Sequence, residues 1–257
     1  MISARFLGTG ALGAHKGKNP LIKDYRRFPS LLIDEKIIID PSEDIFEFAE
    51  SFMLDGIYDG VQDVLITHSH PGHLSIGAIE RLARRRRVRV YASDTLREEL
   101  SEIAGVDFFP IYRFTPLRVA GYDIVPCPSN HKTDNHAECA FNFYISGEKA
   151  IFYGLDGAWL LSETFKFLKH AGADAFVIDL GGEVGNHGEE CFYHNSLGMA
   201  KSLREALINS GAARQSAKFL LSHIPTVKNS PKHQQLEEEL ADFTDIKITY
   251  DGYYFCL

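Results

Sequence analysis

The sequence predicts an α/β protein in which two β-sheets lie back to back and are covered by helices. Its 257 residues, 45% of them hydrophobic, can bury a substantial core. Short apolar or alternating runs typical of strands fall into two groups, and segments with helical periodicity lie between and outside those groups. No repeat, linker or low-complexity segment divides the chain. We therefore expect one domain that spans residues 1–257.

The first strands are predicted over residues 2–7, 30–33, 36–39, 61–67 and 88–92. A turn at Asp34 separates the second strand from the third, which predicts a hairpin. Helices are expected where apolar residues recur at helical spacing, over residues 43–52, 74–84 and 94–104. The glycine-rich stretch at 8–13 permits close backbone approach, but no helix starts directly after it. We interpret it as a loop that borders a site and not as a dinucleotide-binding fingerprint.

The middle of the chain is rich in predicted strands, over residues 106–110, 112–119, 122–126, 140–145 and 150–153. Helices and strands then alternate, with helices over 160–171, 196–209 and 231–242 and strands over 175–180 and 218–221. The chain is expected to close with a hairpin of residues 246–250 and 253–256, because the turn sequence Asp251-Gly252 lies between them.

Three histidines follow the strand predicted at 61–67. His68 and His70 are two positions apart, so on an extended chain their imidazoles point the same way. The Pro-Gly turn that follows can bring His73 round from the start of the next helix. Neutral imidazole is a common zinc ligand. The alternative is a polar turn that is rich in histidine, but three histidines directly after a buried strand favour a metal site.

Other candidate ligands occur in the same setting, just past the carboxyl end of an apolar strand. They are His131, Asp156 and His223. Each of them alone is more typical of a capping or packing residue. Loops that leave the same edge of packed sheets can converge on one place, however, so the set predicts one metal centre built from distant segments.

Composition argues against several classes of protein. The net charge of -8 disfavours a general nucleic-acid binder. The basic run at residues 84–87 lies where a helix ends, which favours helix-dipole complementation and solvation over phosphate binding. Four cysteines without a C-x-x-C pair argue against a disulfide framework and a structural zinc knuckle. No apolar run approaches the length of a membrane span and the N-terminus lacks a signal-peptide layout, so we expect a cytoplasmic protein without membrane association.

The histidines and the aspartate together make the chain resemble the metallo-β-lactamase superfamily from end to end. That family's signature, H-x-H-x-D-H, is followed by a later histidine, a bridging aspartate and a final histidine. The resemblance implies a four-layer αβ/βα sandwich of two mixed β-sheets flanked by helices. The implied ligands are His68, His70 and His131 for a first metal, His73 and His223 for a second, and Asp156 between the two.

One position departs from the signature, because the aspartate expected before the third histidine is Gly72. In the family this carboxylate binds the second metal and orients the attacking water. Three outcomes stay open: a single metal, a second metal completed by another oxygen ligand or water, or a site without activity. The loop residues that offer a substitute ligand are Asp134, His136, Glu183, His187 and Glu189.

A narrower likeness, to the phosphodiesterase branch of the superfamily, is carried by residues 6–10, 194–197, 221–224 and 250–252. The branch includes the cyclic-ribose-phosphate phosphodiesterase and, more distantly, the tRNA 3′-end endonuclease. The likeness implies that His194 sits over the phosphate as a general acid or charge stabiliser, and the alternative is that His194 caps the following helix. A tRNA substrate is disfavoured, since only one predicted hairpin separates the second motif from the bridging aspartate, where the endonuclease carries a tRNA-gripping arm.

The function expected from the sequence is hydrolysis of a small phosphodiester through a metal-bound hydroxide. Lys16, Lys18 and Lys132 are candidates for neutralising phosphate charge. Zinc is the default metal, with manganese and iron as alternatives. The ligands alone do not choose between one and two ions, and the sequence leaves open whether the chain forms a homodimer.

Three other functions remain open at this stage. One is a different hydrolase on the same fold, a thioesterase or a lactonase. Another is a binding or accessory protein that has lost catalysis through Gly72. An oxygen-using iron enzyme is less favoured, because that group normally keeps the missing aspartate as a ligand.

Overall fold

The computed structural model describes residues 1–11, 19–182, 189–227 and 230–257. Within these ranges the strands form two seven-stranded sheets. The first sheet has the order β14-β1-β2-β3-β4-β5-β6 and consists of β1 (Ser3–Gly8), β2 (Ser30–Ile33), β3 (Ile37–Ile39), β4 (Asp63–Leu65), β5 (Val88–Ser93), β6 (Val106–Ile111) and β14 (Tyr254–Cys256). Strands β3 to β6 run parallel and the rest antiparallel, so the sheet is mixed.

The second sheet is also mixed, with the order β13-β12-β11-β10-β9-β8-β7. It consists of β7 (Leu117–Val119), β8 (Tyr122–Pro128), β9 (Phe141–Ser146), β10 (Ala150–Gly154), β11 (Ala173–Asp179), β12 (Ala213–Ser222) and β13 (Ile246–Ile248). Strands β10 to β13 are parallel neighbours. Their carboxyl ends therefore lie at the same edge of the sheet, where ligands usually bind.

Six α-helices connect the strands in the part of the chain that the structure describes: α1 (Asp44–Ser51), α2 (Ile76–Arg85), α3 (Arg97–Ser101), α4 (Ser162–Ala171), α5 (Leu197–Asn209) and α6 (His233–Glu239). Two of them begin with a serine whose side chain accepts a backbone hydrogen bond. Ser75 caps α2 in this way and Ser196 caps α5. None of the described helices has the length and apolar character needed to cross a bilayer.

Three buried clusters show that the molecule has four layers. The cluster between the sheets contains Phe6, Phe143 and Leu220, drawn from both sheets. The outer face of the first sheet packs under helices through residues such as Phe48 and Leu82, and the outer face of the second sheet packs through Leu168 and Leu203, which belong to α4 and α5. The predicted αβ/βα sandwich of two mixed sheets is therefore confirmed.

The hairpin predicted around Asp34 is confirmed, because β2 and β3 pair antiparallel across it. Asp34 and Glu35 both adopt positive φ angles, of 49° and 54°. This is the backbone of a tight hairpin turn whose twist matches that of the flanking strands.

The closing hairpin was predicted wrongly. β13 pairs with β12 in the second sheet, whereas β14 pairs with β1 in the first, so the chain crosses from one sheet to the other between them. The crossing is held by Asp251, which is buried and accepts hydrogen bonds from the hydroxyl of Thr9 and the backbone N–H of Arg27. A turn sequence marks where the chain bends, but it carries no information about which sheet the next strand joins.

The boundaries of four elements also differ from the prediction. Residues 94–104 form a 3₁₀ turn followed by the short helix α3, and residues 112–119 contribute only β7. The strand predicted at 218–221 begins earlier, at Ala213, where alternation with polar residues on its exposed side weakens the apolar signal. The strand before the histidines is β4, which ends at Leu65 and leaves Thr67 free to act in the site described below.

Candidate metal centre

The structure brings the candidate ligands together at one edge of the two sheets. His68, His70 and His73 follow β4, and His131, Asp156 and His223 follow β8, β10 and β12. All of them except His68 line a cleft of about 650 Å³, together with residues from the β1–β2 and β11–α5 connections. Distant segments meet here because β8, β10 and β12 run in the same direction and end at one edge of the second sheet, close to the end of β4 in the first.

One group of donors consists of His68, His70 and His131, whose ligand atoms all lie within 4.8 Å of one another. Nε2 of His131 is 3.1 Å from Nδ1 of His70 and 3.9 Å from Oδ1 of Asp156. The ring of His68 meets the rings of His70 and His131 edge to face, at centroid distances of 4.7 Å and 4.9 Å. The three imidazoles are thus close enough to share one ion, with an oxygen of Asp156 near His131.

A second group of donors surrounds the other oxygen of Asp156. Nε2 of His73 lies 2.6 Å from Oδ2 of Asp156, and Nε2 of His223 lies 3.3 Å from the same atom. The carboxylate of Asp156, which is 4% exposed, therefore lies between the two groups.

Two buried carboxylates that the sequence analysis missed orient these rings. Oδ2 of Asp40 lies 2.9 Å from Nδ1 of His73, and Oδ2 of Asp179 lies 2.9 Å from Nδ1 of His223. Nδ1 of His73 is hydrogen-bonded to Asp40, whereas Nδ1 of His223 is close to Asp179 without hydrogen-bond geometry. In both rings the carboxylate lies on the Nδ1 side, so Nε2 is turned toward Asp156. Asp40 and Asp179 each stand at the carboxyl end of a strand, and this placement is the sequence signal that would have identified them.

Asp40 also acts on the first group through Thr67. The hydroxyl of Thr67 donates to Oδ2 of Asp40 at 2.7 Å, so its oxygen is left to accept from Nδ1 of His68 at 2.9 Å. The backbone N–H of Thr67 donates to the other oxygen of Asp40. This relay assigns the Nδ1–H tautomer to His68 and leaves its Nε2 bare.

The site holds its imidazoles in different charge states. Burial lowers the pKa of His68 well below its usual value and lowers the pKa of His131 to about 4, so both rings are neutral at pH 7. Burial also opposes the charged form of His73, but the carboxylates of Asp156 and Asp40 outweigh it and raise the pKa to about 10. Asp156 is buried as well, yet the charges of His223 and His73 hold the pKa of its carboxyl well below the usual range.

His194 lies over the site with its Nδ1 3.2 Å from Oδ2 of Asp179, and its ring stacks on that of His223 at 5.2 Å. Burial opposes protonation, but the charge and hydrogen bond of Asp179 raise the pKa of His194 to about 9. Gly181 makes this packing feasible, because a Cβ there would come within 2.6 Å of Nδ1 of His194. The following helix is capped by Ser196, so capping does not account for His194.

Other residues predicted from the sequence have mixed outcomes. Lys132 and Asp134 line the cleft, and Ala11 does so from the glycine-rich loop. His136 is exposed and does not line the cleft. Several predictions fall outside the described residues or side chains, namely Lys16, Lys18, Glu183, His187 and Glu189.

The arginine run at 84–87 is engaged by neighbouring oxygen atoms. Arg84 pairs with Glu80, Arg85 with Asp59 and Arg87 with Asp107. Arg86 donates to a backbone carbonyl. Each of the four arginines thus has an oxygen atom of the chain as a partner.

The residues present fit a divalent metal ion. Nε2 of His68 is buried and has no hydrogen-bond partner among the described residues, although unpaired buried nitrogens are rare in folded proteins. A cation would satisfy Nε2 of His68 by accepting its lone pair. The other candidate donors to that cation are Nδ1 of His70, Nε2 of His131 and an oxygen of Asp156. This set of nitrogen and oxygen donors suits zinc, manganese or iron.

Comparison with known proteins agrees with this geometry. A family model described as "Beta-lactamase superfamily domain" matches residues 35–189, which is more than half of the chain. No curated protein matches the chain in sequence.

Three solved structures illustrate the similarity of fold. The metallo-beta-lactamase fold protein YhfI from Bacillus subtilis is similar over 99% of this chain and 98% of its own, with a TM-score of 0.75 and 15% identity. Zn(2+)-bound PqqB from Methylobacterium extorquens matches over 99% and 100%, with a TM-score of 0.69 and 15% identity. Unliganded PDE1 from yeast matches over 100% and 99%, with a TM-score of 0.67 and 11% identity. The chain therefore belongs to the beta-lactamase superfamily domain family, and its architecture is the metallo-β-lactamase fold.

Proposed function

We propose that the protein is a metal-dependent hydrolase and that its substrate is a small phosphodiester. The superfamily consists mostly of metal-dependent hydrolases, which supports the broader class. The observation that carries the proposal is that the donor atoms of His68, His70 and His131 lie within 4.8 Å of one another, while the buried Nε2 of His68 has no hydrogen-bond partner among the described residues. Zinc is the proposed metal, with PqqB as a zinc-bound example of the same fold.

The proposed ligands of the cation are His68, His70, His131 and Asp156. When bound, the cation supplies Lewis-acid chemistry that activates water near neutral pH and polarises an oxygen of the substrate. The chain's own contribution is to hold the donors at a buried position, to fix the tautomer of His68 through Thr67, and to keep His131 neutral through burial.

His194 is the proposed proton donor to the leaving oxygen. Its Nδ1 is hydrogen-bonded to Asp179 and its ring stacks on His223, so Nε2 is the ring atom left for a substrate in the cleft. The side chain is 23% exposed, which allows contact with a ligand. Lys132 lines the same cleft and adds positive charge for an anionic substrate.

Two features support a small substrate. The cleft of about 650 Å³ is in the range of sites for small molecules. The described chain between His131 and Asp156 contains the antiparallel pair β9 and β10, with no inserted arm of the kind that grips tRNA.

The experiment is hydrolysis of bis(p-nitrophenyl) phosphate, with metal counted by elemental analysis in the same samples. His68→Ala and His131→Ala should lose both bound metal and turnover, because each removes one donor from a four-donor set. His170→Ala, which removes an exposed histidine on α4, is the matched control and should retain both. Unchanged turnover in either ligand variant contradicts the proposal.

His194→Gln separates phosphodiester hydrolysis from other ester chemistry. If His194 donates a proton to the leaving group, kcat should fall about 100-fold or more on a phosphodiester with a poor leaving group, and metal content should stay constant. The variant should also lose less activity on a p-nitrophenyl ester, whose leaving group needs little protonation. A variant that keeps full phosphodiester turnover but loses thioester or lactone hydrolysis favours one of those activities instead.

A further inference from the structure

The ring of Phe28 occupies the space where a side chain at position 72 would lie. A Cβ built on Gly72 would lie 2.5 Å from Cδ1 and 3.0 Å from Cε1 of Phe28. Real Cβ atoms essentially never approach other heavy atoms so closely, so no side chain fits at 72 while the ring stays where it is. The φ angle of Gly72, +101°, adds backbone strain for any other residue. The ring of Phe28 thus lies where a carboxylate from position 72 would begin.

The ring cannot withdraw by a shift of its own backbone. The N–H of Phe28 donates to Oδ2 of Asp44, and its carbonyl lies directly against Gly8, where a Cβ would come within 1.8 Å. The preceding residue, Arg27, is 0% exposed and bonded to Asp251. The main chain at 27–28 is therefore fixed between β1 and the start of α1.

The donors near Phe28 are incomplete for a second cation. His73 and His223 present Nε2 to Asp156, so two imidazoles and a shared carboxylate are preserved. Asp40 and Asp179 are close by, but they face the Nδ1 atoms of these rings. Asp179 also accepts from the backbone N–H groups of Gly181 and Asn195. The ligand atoms of Asp156, Asp179, His194 and His223 lie within 4.8 Å of one another, but Oδ2 of Asp179 already accepts from Nδ1 of His194 and from the backbone N–H of Asp156. Both oxygens of Asp179 are therefore engaged by the chain itself.

Electrostatic repulsion also disfavours a second cation. Two dications in one centre repel each other, and the two donor groups described above share the single negative charge of Asp156. Loss of an outer partner of a metal ligand already weakens binding by about 10–100-fold. Loss of a charged ligand should therefore weaken the second site by more than about 100-fold.

From these observations we infer that Phe28 and Gly72 together make the centre mononuclear: one cation is held tightly by His68, His70, His131 and Asp156, and the ring of Phe28 excludes the ligand that a tightly held second cation requires. The inference rests on the metal binding in the proposed function but not on the nature of the substrate.

The test is zinc stoichiometry and affinity, measured by elemental analysis after gel filtration and by calorimetric titration of zinc into metal-free protein. The wild type should retain one zinc per chain, and the double variant Phe28→Ala with Gly72→Asp should retain two. The matched control is Phe28→Ala with Gly72→Asn, which carries the same backbone strain and nearly the same shape but no charge, and it should retain one. Circular dichroism confirms that each variant is folded.

Two tightly held zinc ions in the wild type would overturn this inference while leaving the proposed hydrolase intact. A folded Phe28→Ala/Gly72→Asp variant that retains one zinc would also overturn it. No bound zinc in the wild type would overturn both proposals. One bound zinc without phosphodiester turnover supports the inference and contradicts the proposed activity alone.

A second pair of variants identifies which donors hold the tight ion. His131→Ala should abolish tight zinc binding, because it removes a donor. His73→Ala removes a partner of Asp156 and should leave one zinc, with affinity weakened by about 10–100-fold. The reverse result would place the tight cation on the His73 side and overturn the inference.

Discussion

Thr67→Val tests whether the relay from Asp40 to His68 orients a metal ligand. The substitution keeps the branched shape and removes the hydroxyl, which is buried with its residue at 2% exposure. Nδ1–H of His68 then loses the acceptor at 2.9 Å, and Oδ2 of Asp40 keeps only the bond from His73. With no partner on Nδ1, the ring gains freedom to rotate or to move its proton to Nε2, which removes the lone pair meant for the cation.

The expected loss has two parts. Outer partners of metal ligands contribute about 10–100-fold in affinity, which is about 1.4–2.8 kcal/mol at 1.4 kcal/mol per tenfold change. A buried donor left unpaired costs about 1–3 kcal/mol of folding free energy, and this part appears even in metal-free protein. Zinc affinity is measured by competition with a chromogenic chelator, and unfolding is measured in urea with and without zinc.

Two further variants sharpen the test. Thr67→Ser keeps the hydroxyl and should restore affinity to within a few-fold of the wild type. Thr164→Val is the matched control, because Thr164 is also fully buried and its hydroxyl bonds a backbone carbonyl, that of Pro128, and not an imidazole. It should lose stability but no zinc affinity. If Thr67→Val binds zinc as tightly as Thr164→Val does, the orienting role of the relay is refuted.

Three more outcomes follow from the structure. Asp34→Asn should lower the free energy of unfolding at pH 7. Hydrogen bonds from Tyr122 and Ser3 outweigh burial and hold the pKa of Asp34 below its usual 3.8, so the ionised carboxylate stabilises the fold. This stabilisation is present above pH 3.8 and is lost as the pH falls through the folded-state pKa, so the unfolding free energies of variant and wild type, measured in urea, should converge at low pH. Phe176→Ala removes a 0% exposed ring that stacks on Phe219 and should lower the free energy of unfolding by about 3–5 kcal/mol. Phe192→Ala, which removes a 71% exposed ring, is the control and should change the free energy of unfolding by less than about 0.5 kcal/mol. Removal of metal with EDTA should lower the Tm, since a ligand at 100 times its Kd stabilises the folded state by about 2.7 kcal/mol. A His131→Ala variant should show no such shift in Tm. A shift equal to that of the wild type would argue against the site.

Much of the candidate site was accessible from the sequence because its candidate ligands come from short-range patterns. An apolar strand followed by histidines two positions apart is recognisable in the chain, and so are His131, Asp156 and His223, each directly past an apolar run. The outer partners were missed for a different reason. Asp40 and Asp179 look like ordinary polar residues at strand ends, and only the positions of His73 and His223 in space show what they bind.

The closing strands illustrate the same limit at the level of the fold. Residues 246–256 contain two strands and a turn, as predicted, but the strands belong to different sheets. Local pattern decides whether a segment is extended, whereas its partner depends on the network around Asp251 and on the core that is shared between the sheets.

The sequence by itself determined the two-sheet α/β class, the order of most elements and the identity of the metal-ligand candidates, because periodicity and ligand spacing are properties of neighbouring residues. Only the tertiary structure decided the meaning of Gly72. The ring of Phe28 comes from 44 positions earlier in the chain and fills the space next to Gly72, and no local pattern encodes a contact between residues so far apart. The stacking of the His194 and His223 rings was also decided by the tertiary structure, because it depends on the absence of a side chain at Gly181.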